Sequence, residues 1–370
     1  MLGNFGRKIR GYDAILISLV MAATFIGMLF VYSATKSYDN QLKYVIVQAV
    51  AFILGLVFMY YVTQIDYEHL SSFWPFIIGF SLFLLVLVMF VGTGETSTGT
   101  KGWIRIGSIG IQPSELVKIG FIITLAKHLS IIEDDVNYIK NVAYLLLHLT
   151  VPVGLIMLQP DAGTAMVFVF IFIVMVFVAG IDWRYMATAF GGFVIFAVTS
   201  WFFLLSNYQR ERFLVFFNPE KDPGGFGYHV MQSKIAIGSG KIFGKGIFKG
   251  IQTQLGFLPE KHTDFIFAVI GEEAGLIGCL LIVALLIGII IRCIYIGQNA
   301  KNSIGTFICI GVAGMWLFHT FENIGMTIGL MPVTGIPLPF VSYGGSSLMT
   351  NFIALGLVVS VRMRRRTINF

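Results

Sequence analysis

LPEKHTDFIFAVIGEEAG, residues 258–275, sets Glu260, Lys261, His262 and Asp264 within five positions, then enters a long apolar run that carries Glu272 and Glu273 on its first turns. An unpaired charge near the centre of a membrane helix costs roughly 2.5–3.5 kcal/mol on insertion scales. A chain that only had to cross a bilayer would not place acids here. Two readings are open: a solvated loop followed by a buried structural ion pair, or a charged site at the mouth of a membrane helix. The charges crowd the start of the apolar run and do not trail off into a polar loop, which favours the second.

Composition supports a membrane protein. Apolar residues make up 56% of 370 and charged residues 12%, with a mean hydropathy of +0.84, whereas soluble domains sit near roughly 45–50% and 25%. The 41 glycines suit close helix approach. The net charge of +6 gathers at the two ends and reads as topology, not nucleic-acid binding. Cys279, Cys293 and Cys309 show no CxxC spacing, so neither a disulfide framework nor a zinc site is supported. No small-residue cleavage site follows the first apolar run, which reads as a retained helix.

The expected fold is an all-α integral membrane protein with about ten transmembrane helices, a single polytopic domain over 1–370. The runs fall at 14–34, 43–62, 73–92, 113–131, 141–159, 161–180, 185–205, 265–291, 304–328 and 346–361, leaving a large outer loop at 206–264 between the seventh and eighth. Arg7, Lys8 and Arg10 precede the first run, and Arg362, Arg364, Arg365 and Arg366 follow the last. The positive-inside rule then puts both termini in the cytoplasm, which requires an even number of spans.

Between the spans lie the polar candidates. In the 93–118 segment, Lys101 and Arg105 read as functional charges and Trp103 as an interfacial anchor. Gln112-Pro113-Ser114-Glu115 resembles a helix start, and Glu115 and Lys118, three apart, share a face and could pair. Asp161 would cap the sixth helix. Arg210 and Arg212 open the large loop, and 218–225 is its turn-rich core. Residues 228–238 suggest a short amphipathic helix lying at the outer interface. Lys241, Lys245 and Lys249, interleaved with glycine, could cradle phosphate or meet anionic headgroups. His148 and His319 read as satisfied interhelical donors, and only His262 stands beside other candidate chemistry. Pro332, Pro337 and Pro339 exclude a regular helix before Ser342-Tyr343-Gly344-Gly345-Ser346-Ser347, whose N–H groups and hydroxyls would suit an anion or build a re-entrant loop.

Taken together, KGWIRIG…QPSELVKI, QPDAGTA, YQRERFLVFFNPEKDPGGFGYHVMQSKIAIGSG, FLPEKHTDFIFAVIGEE and GIPLPFVSYGGSS resemble the shape, elongation, division and sporulation (SEDS) family, in one order over most of the chain. Lys261 and GKGIFKGIQTQLGF resemble its rod-elongation branch more closely than its division branch. The resemblance implies a peptidoglycan glycosyltransferase acting on lipid II and the growing lipid-linked glycan at the outer face of a bacterial inner membrane. It also implies a class B penicillin-binding protein as partner. The family's catalytic aspartate falls on Asp264, its serine-glycine-glycine loop on Ser342, Gly344 and Gly345, and its outer charged positions on Arg105, Glu115, Lys118, Asp161 and Arg210. Trp103, Glu260 and His262 complete the candidate substrate-binding set.

A diphosphate leaving group needs charge stabilisation more than a proton, so one carboxylate base among several cations suffices. Inversion of an α-linked donor gives a β-linked product without a covalent intermediate. A divalent cation, magnesium or manganese, on Asp264 or Glu260 is left open, since no dedicated ligand set is present. The rival reading is a transporter that flips the lipid-linked precursor; the clustering of charge on the outer side, without evident inverted repeats, argues against it.

Overall fold

A computed structural model describes residues 12–93, 102–106, 109–203, 210, 214, 217 and 225–365. Each of the ten apolar runs forms a helix: α1 (Ala14–Thr35), α2 (Gln41–Gln64), α3 (Trp74–Val91), α4 (Pro113–Ile131), α5 (Ile139–Met157), α6 (Ala162–Val178) and α7 (Trp183–Phe203), then, after the shorter α8 (Phe226–Gly240), α9 (Ile266–Gln298), α10 (Ser303–Ile328) and α11 (Gly345–Met363). Seven of these are long and apolar enough to cross a membrane by length and composition alone. A small hairpin, β1 (Ile104–Ile106) with β2 (Ile109–Ile111), sets Arg105 opposite Gly110 ahead of α4. Arg7, Lys8, Arg10, Lys101, Arg212, Arg366 and most of the 218–225 turn lie outside the described residues.

Local chemistry fixes the helix ends. Asp13 caps α1 through the Leu16 N–H at 3.0 Å, and Asn302 caps α10 through the Gly305 N–H at 3.1 Å. Gly329, at φ 75°, ends α10 in the left-handed conformation that glycine adopts without steric cost. Asp13 also takes Arg292 at 2.8 Å and Arg362 at 3.3 Å. The start of α1 and the ends of α9 and α11 therefore share one side of the bundle. The hairpin, the α5–α6 turn, the segment before α9 and the α10–α11 loop share the other, called here the site side.

Helices α4, α10 and α11 form the interior. Helix α11 runs along α2, α9 packs between α1 and α10, and α4 and α6 both pack on α10. Enclosure explains how α4 and α10 tolerate ionisable residues: their polar faces turn towards protein.

Two segments depart from expectation. The 228–238 segment does not lie free at an interface; α8 packs on α9 and α10, burying Val230, Ser233 and Ala236, with the Ser233 hydroxyl donating to the Thr327 carbonyl at 2.7 Å. The reason is small residues: Gly240 meets the Gly271 carbonyl so closely that no side chain would fit. Helix α9 is also interrupted. Gly275 sits at φ 67°, ψ −162°, and the 241–246 segment fills the break. Lys245 N–H and Gly246 N–H donate to the Glu272 and Glu273 carbonyls at 3.0 Å each, while Leu276 N–H donates to the Lys241 carbonyl at 2.9 Å. Irregular backbone survives at membrane depth only when protein satisfies it in this way.

Candidate functional site

Asp264 stands on the site side, two residues ahead of α9. Three successive carbonyls there each accept a hydrogen bond from elsewhere: His262 from Tyr343 N–H at 2.9 Å, Thr263 from the Ser342 hydroxyl at 2.7 Å, and Asp264 from the Asn323 amide at 2.8 Å. The Asp264 side chain is treated differently. It is partly buried, yet among the described residues its carboxylate has neither a hydrogen-bond nor an ion-pair partner. Gly335, at φ 76°, passes so close that a methyl group on it would lie 3.5 Å from Oδ2. Burial, reinforced by the negative charge of Glu260, pushes the Asp264 pKa up to about 7. An unengaged carboxyl that titrates near neutrality can take a proton from a substrate hydroxyl.

Its neighbours are committed elsewhere. His262 is buried among Tyr38, Tyr44 and Tyr343, with ring centroids 5.5, 5.0 and 5.2 Å away, and the Tyr38 hydroxyl lies 3.5 Å from Nδ1. Burial lowers its pKa and favours the neutral ring. The Lys261 ammonium donates to Ser37 Oγ and to the Thr253 carbonyl at 2.6 Å and lies over the Tyr38 ring. Glu260 is exposed, at φ 42°, and accepts from the Thr263 hydroxyl at 3.2 Å.

Glu272 and Glu273 are saturated. Glu272 accepts from Gln252 N–H at 2.9 Å, Lys245 Nζ at 3.0 Å, Thr253 N–H at 2.9 Å and the Thr253 hydroxyl at 2.8 Å. Glu273 accepts from the Ser33 hydroxyl at 2.7 Å and from the Gln254 amide at 3.3 Å. These acids pin the 245–254 loop to the broken helix. The structural-pair reading is thus right for Glu272 and Lys245, and the glycines interleaved with the lysines serve close backbone approach: Gly244 lies against the Glu273 carbonyl.

The Glu115–Lys118 pair forms at 2.6 Å, with the residues 5% and 1% exposed. Lys118 also meets His319 Nε2 at 3.1 Å, while His319 Nδ1 has no partner among the described residues. His148 is satisfied, by Thr124 at 3.1 Å and His128 at 3.2 Å. One turn beyond His319, Glu322 accepts from the Thr334 hydroxyl at 2.9 Å and has a second oxygen with no partner among the described residues. Asp161 caps α6 through Thr164 N–H at 3.0 Å and also accepts from Gln112 at 3.2 Å, and the Gln112 N–H donates to Ser346. These contacts tie α4 to α10 through Lys118, and the start of α4 to α6 and α11 through Gln112.

Ser342 is fully used, donating to Thr263 and accepting from Leu338 N–H at 2.8 Å. Gln48 bridges its carbonyl and the Gly344 N–H, each at 3.2 Å. This hydroxyl and this N–H hold the loop instead of waiting for an anion. Gly344 and Gly345 are half-buried, and a methyl group on them would make ordinary contact with Ser347 at 3.6 Å and Ala51 at 3.8 Å. Trp103 pairs with Thr93 across an isolated bridge and lies beneath Gly110, while Arg105 is exposed. Arg210 donates to the Phe202 carbonyl at 3.2 Å, and its Nε has no partner among the described residues. The structure does not tie Trp103, Arg105 or Arg210 to Asp264 by direct contact. No group of three or more His, Cys, Asp or Glu placed to hold a metal occurs among the described residues. A cavity of about 320 Å³ between α3, α4 and α5, lined in part by His128 and His148, contains none of the candidates.

Gln48, Asn323 and the tyrosines around His262 escaped the sequence reading. The available signal was an uncharged amide inside an apolar run, which in a membrane helix needs a partner.

The profile FTSW_RODA_SPOVE, described as "Cell cycle protein", matches residues 13–367. The chain belongs to this family. It is 36% identical over 359 residues to the peptidoglycan glycosyltransferase MrdB of Escherichia coli K12, covering 96% of this chain and 95% of the relative. Its structure is similar to one described under structural coordination of polymerization and crosslinking by a peptidoglycan synthase complex, with TM-score 0.81, 32% identity, and coverage of 95% of this chain and 97% of that one. It is also similar to the rod shape determining protein RodA of Thermus thermophilus, with TM-score 0.72, 29% identity, and coverage of 96% and 98%. The membership, the helical membrane fold and the multi-pass character expected from the motifs are borne out.

Proposed function

We propose that this chain polymerises lipid II into glycan strands during cell elongation, with Asp264 as the general base. Like its relatives, it is a peptidoglycan glycosyltransferase. The observation that carries the assignment of the base is the contrast in engagement: Asp264 alone in its stretch combines partial burial, a pKa near neutrality and a carboxylate with no described partner. The acceptor sugar hydroxyl gives its proton to Asp264 as its oxygen attacks the donor anomeric carbon, and the prenyl diphosphate leaves. Lys118, Arg105 and Arg210 supply positive charge for the departing diphosphate. The loop that carries Ser342, Gly344 and Gly345, tied to the Asp264 segment through Thr263 and His262, forms one wall of the substrate site.

In this reading the site side faces outward, both termini are cytoplasmic in the bacterial plasma membrane, and residues 1–370 act as one domain. The partner is a class B penicillin-binding protein whose single membrane helix packs on exposed apolar faces; similarity to a complex that couples polymerisation and crosslinking supports it. A broken helix is also a transporter feature, but here backbone from 241–246 fills the break. The test is to incubate the purified protein with lipid II in detergent, where flipping has no meaning. Glycan polymer on a gel is the expected result; no polymer, with lipid II flipping in vesicles, would establish the transporter instead.

A further inference from the structure

A carboxylate offers about four acceptor sites, yet among the described residues no hydrogen bond or ion pair reaches that of Asp264. Positioning therefore has to act through the backbone. The chain does this with three rungs, from Tyr343, Ser342 and Asn323 to the carbonyls of His262, Thr263 and Asp264. The first two come from one short loop. The third comes from inside a membrane helix.

We propose that Asn323, on α10, is the positioning residue for Asp264. Its amide nitrogen donates at 2.8 Å to the Asp264 carbonyl and, with its other hydrogen, at 2.8 Å to the Ile336 carbonyl. It thereby ties the residue that carries the base to the irregular segment whose Gly335 runs past Oδ2. The side chain is 0% exposed and its own Oδ1 has no partner among the described residues. A membrane helix keeps such an amide at a cost, since the orphaned oxygen loses its hydration without compensation. What an amide offers, and a leucine of similar size does not, is two N–H donors diverging from one atom onto two chain segments. Glu322, the preceding residue, holds Thr334 of the same segment, so two adjacent side chains grip it on either side of Gly335.

The inference rests on Asp264 being the base, and the experiment separates the two. Polymerisation by the purified full-length chain would be followed across lipid II concentrations for Asn323→Leu, Asn323→Gln, Asp264→Asn and Asn351→Leu. Asn351 is an equally buried amide, bonded to Trp316, and serves as the structural control. Asn323→Leu should lower kcat about 10- to 100-fold, the cost of a misplaced catalytic group, with KM little changed. Asn323→Gln keeps both donors and should recover part of that loss, while Asn351→Leu should keep its kcat per folded molecule. If Asn323→Leu fails to fold, Asn323→Ser, smaller and with one donor left, is read in the same assay and should also lose kcat. Full kcat in Asn323→Leu or Asn323→Ser beside an inactive Asp264→Asn would overturn the positioning role and leave the base standing. So would a raised KM at unchanged kcat. An active Asp264→Asn would overturn the base assignment itself.

Discussion

Asp264 and Glu272 lie eight positions apart in one stretch and do opposite things with the same functional group. Glu272 is fully buried and takes four donors. Asp264 is partly exposed and takes none among the described residues. The first is a structural anchor: its bonds replace the water it lost and hold a loop inside a broken helix. The second has given up much of its hydration without compensation, which raises its pKa and leaves it reactive. A buried acid is thus informative for chemistry when its hydrogen bonds are missing, and for folding when they are complete.

The comparison can be broken most decisively at Asp264. Asp264→Asn keeps the shape and removes the base, so turnover should fall about 10²–10⁴-fold while expression and partner binding persist. Co-purification with the proposed partner, a class B penicillin-binding protein, checks the second half.

The Glu115–Lys118 pair tests whether a buried ion pair can also serve function. Lys118→Met alone strands a buried carboxylate and should cost about 3–5 kcal/mol, read as lost folded yield. The double change Glu115→Leu with Lys118→Met should restore folding but not polymerisation. Full activity in the double variant would reduce the pair to structure.

Glu272→Gln retains an acceptor but loses the charge that Lys245 meets, and should cost about 1–3 kcal/mol of stability without changing turnover per folded molecule.

The smallest effect is a sign. Asp264 has a raised folded-state pKa, so the folded protein binds the extra proton between about 4 and about 7, and Asp264 makes the fold less stable as pH rises through that window. Asp264→Asn should therefore raise the melting temperature at about pH 8, and the gain should vanish by about pH 4. Glu272→Gln should lower it.

The ten helices were legible because apolar runs of spanning length have few alternatives. Lys118 and Glu115 were legible as a pair because their spacing puts them on one face. The break at Gly275 was not: it depends on the 241–246 segment returning to fill the helix, a tertiary event that a run reading FAVIGEEAGLIG conceals. For the same reason 228–238 read as an interfacial helix, since its small residues show their purpose only once Gly240 meets α9. Within the site, the charged residues announced themselves, but the amides that grip the backbone did not. Asn323 and Gln48 have no motif of their own, and their role exists only in which carbonyls they reach.

The central claim is that the unengaged acid does the chemistry and the saturated one does not. The most direct measurement is the rate of glycan formation per folded molecule, from about pH 5 to about pH 9, for the wild type, Glu272→Gln and Asp264→Asn in parallel. The account predicts that the first two share an acid limb bending near pH 7, where Asp264 loses its proton, and that Asp264→Asn is slow and flat across the range. A near wild-type rate with the acid limb intact in Asp264→Asn would contradict it.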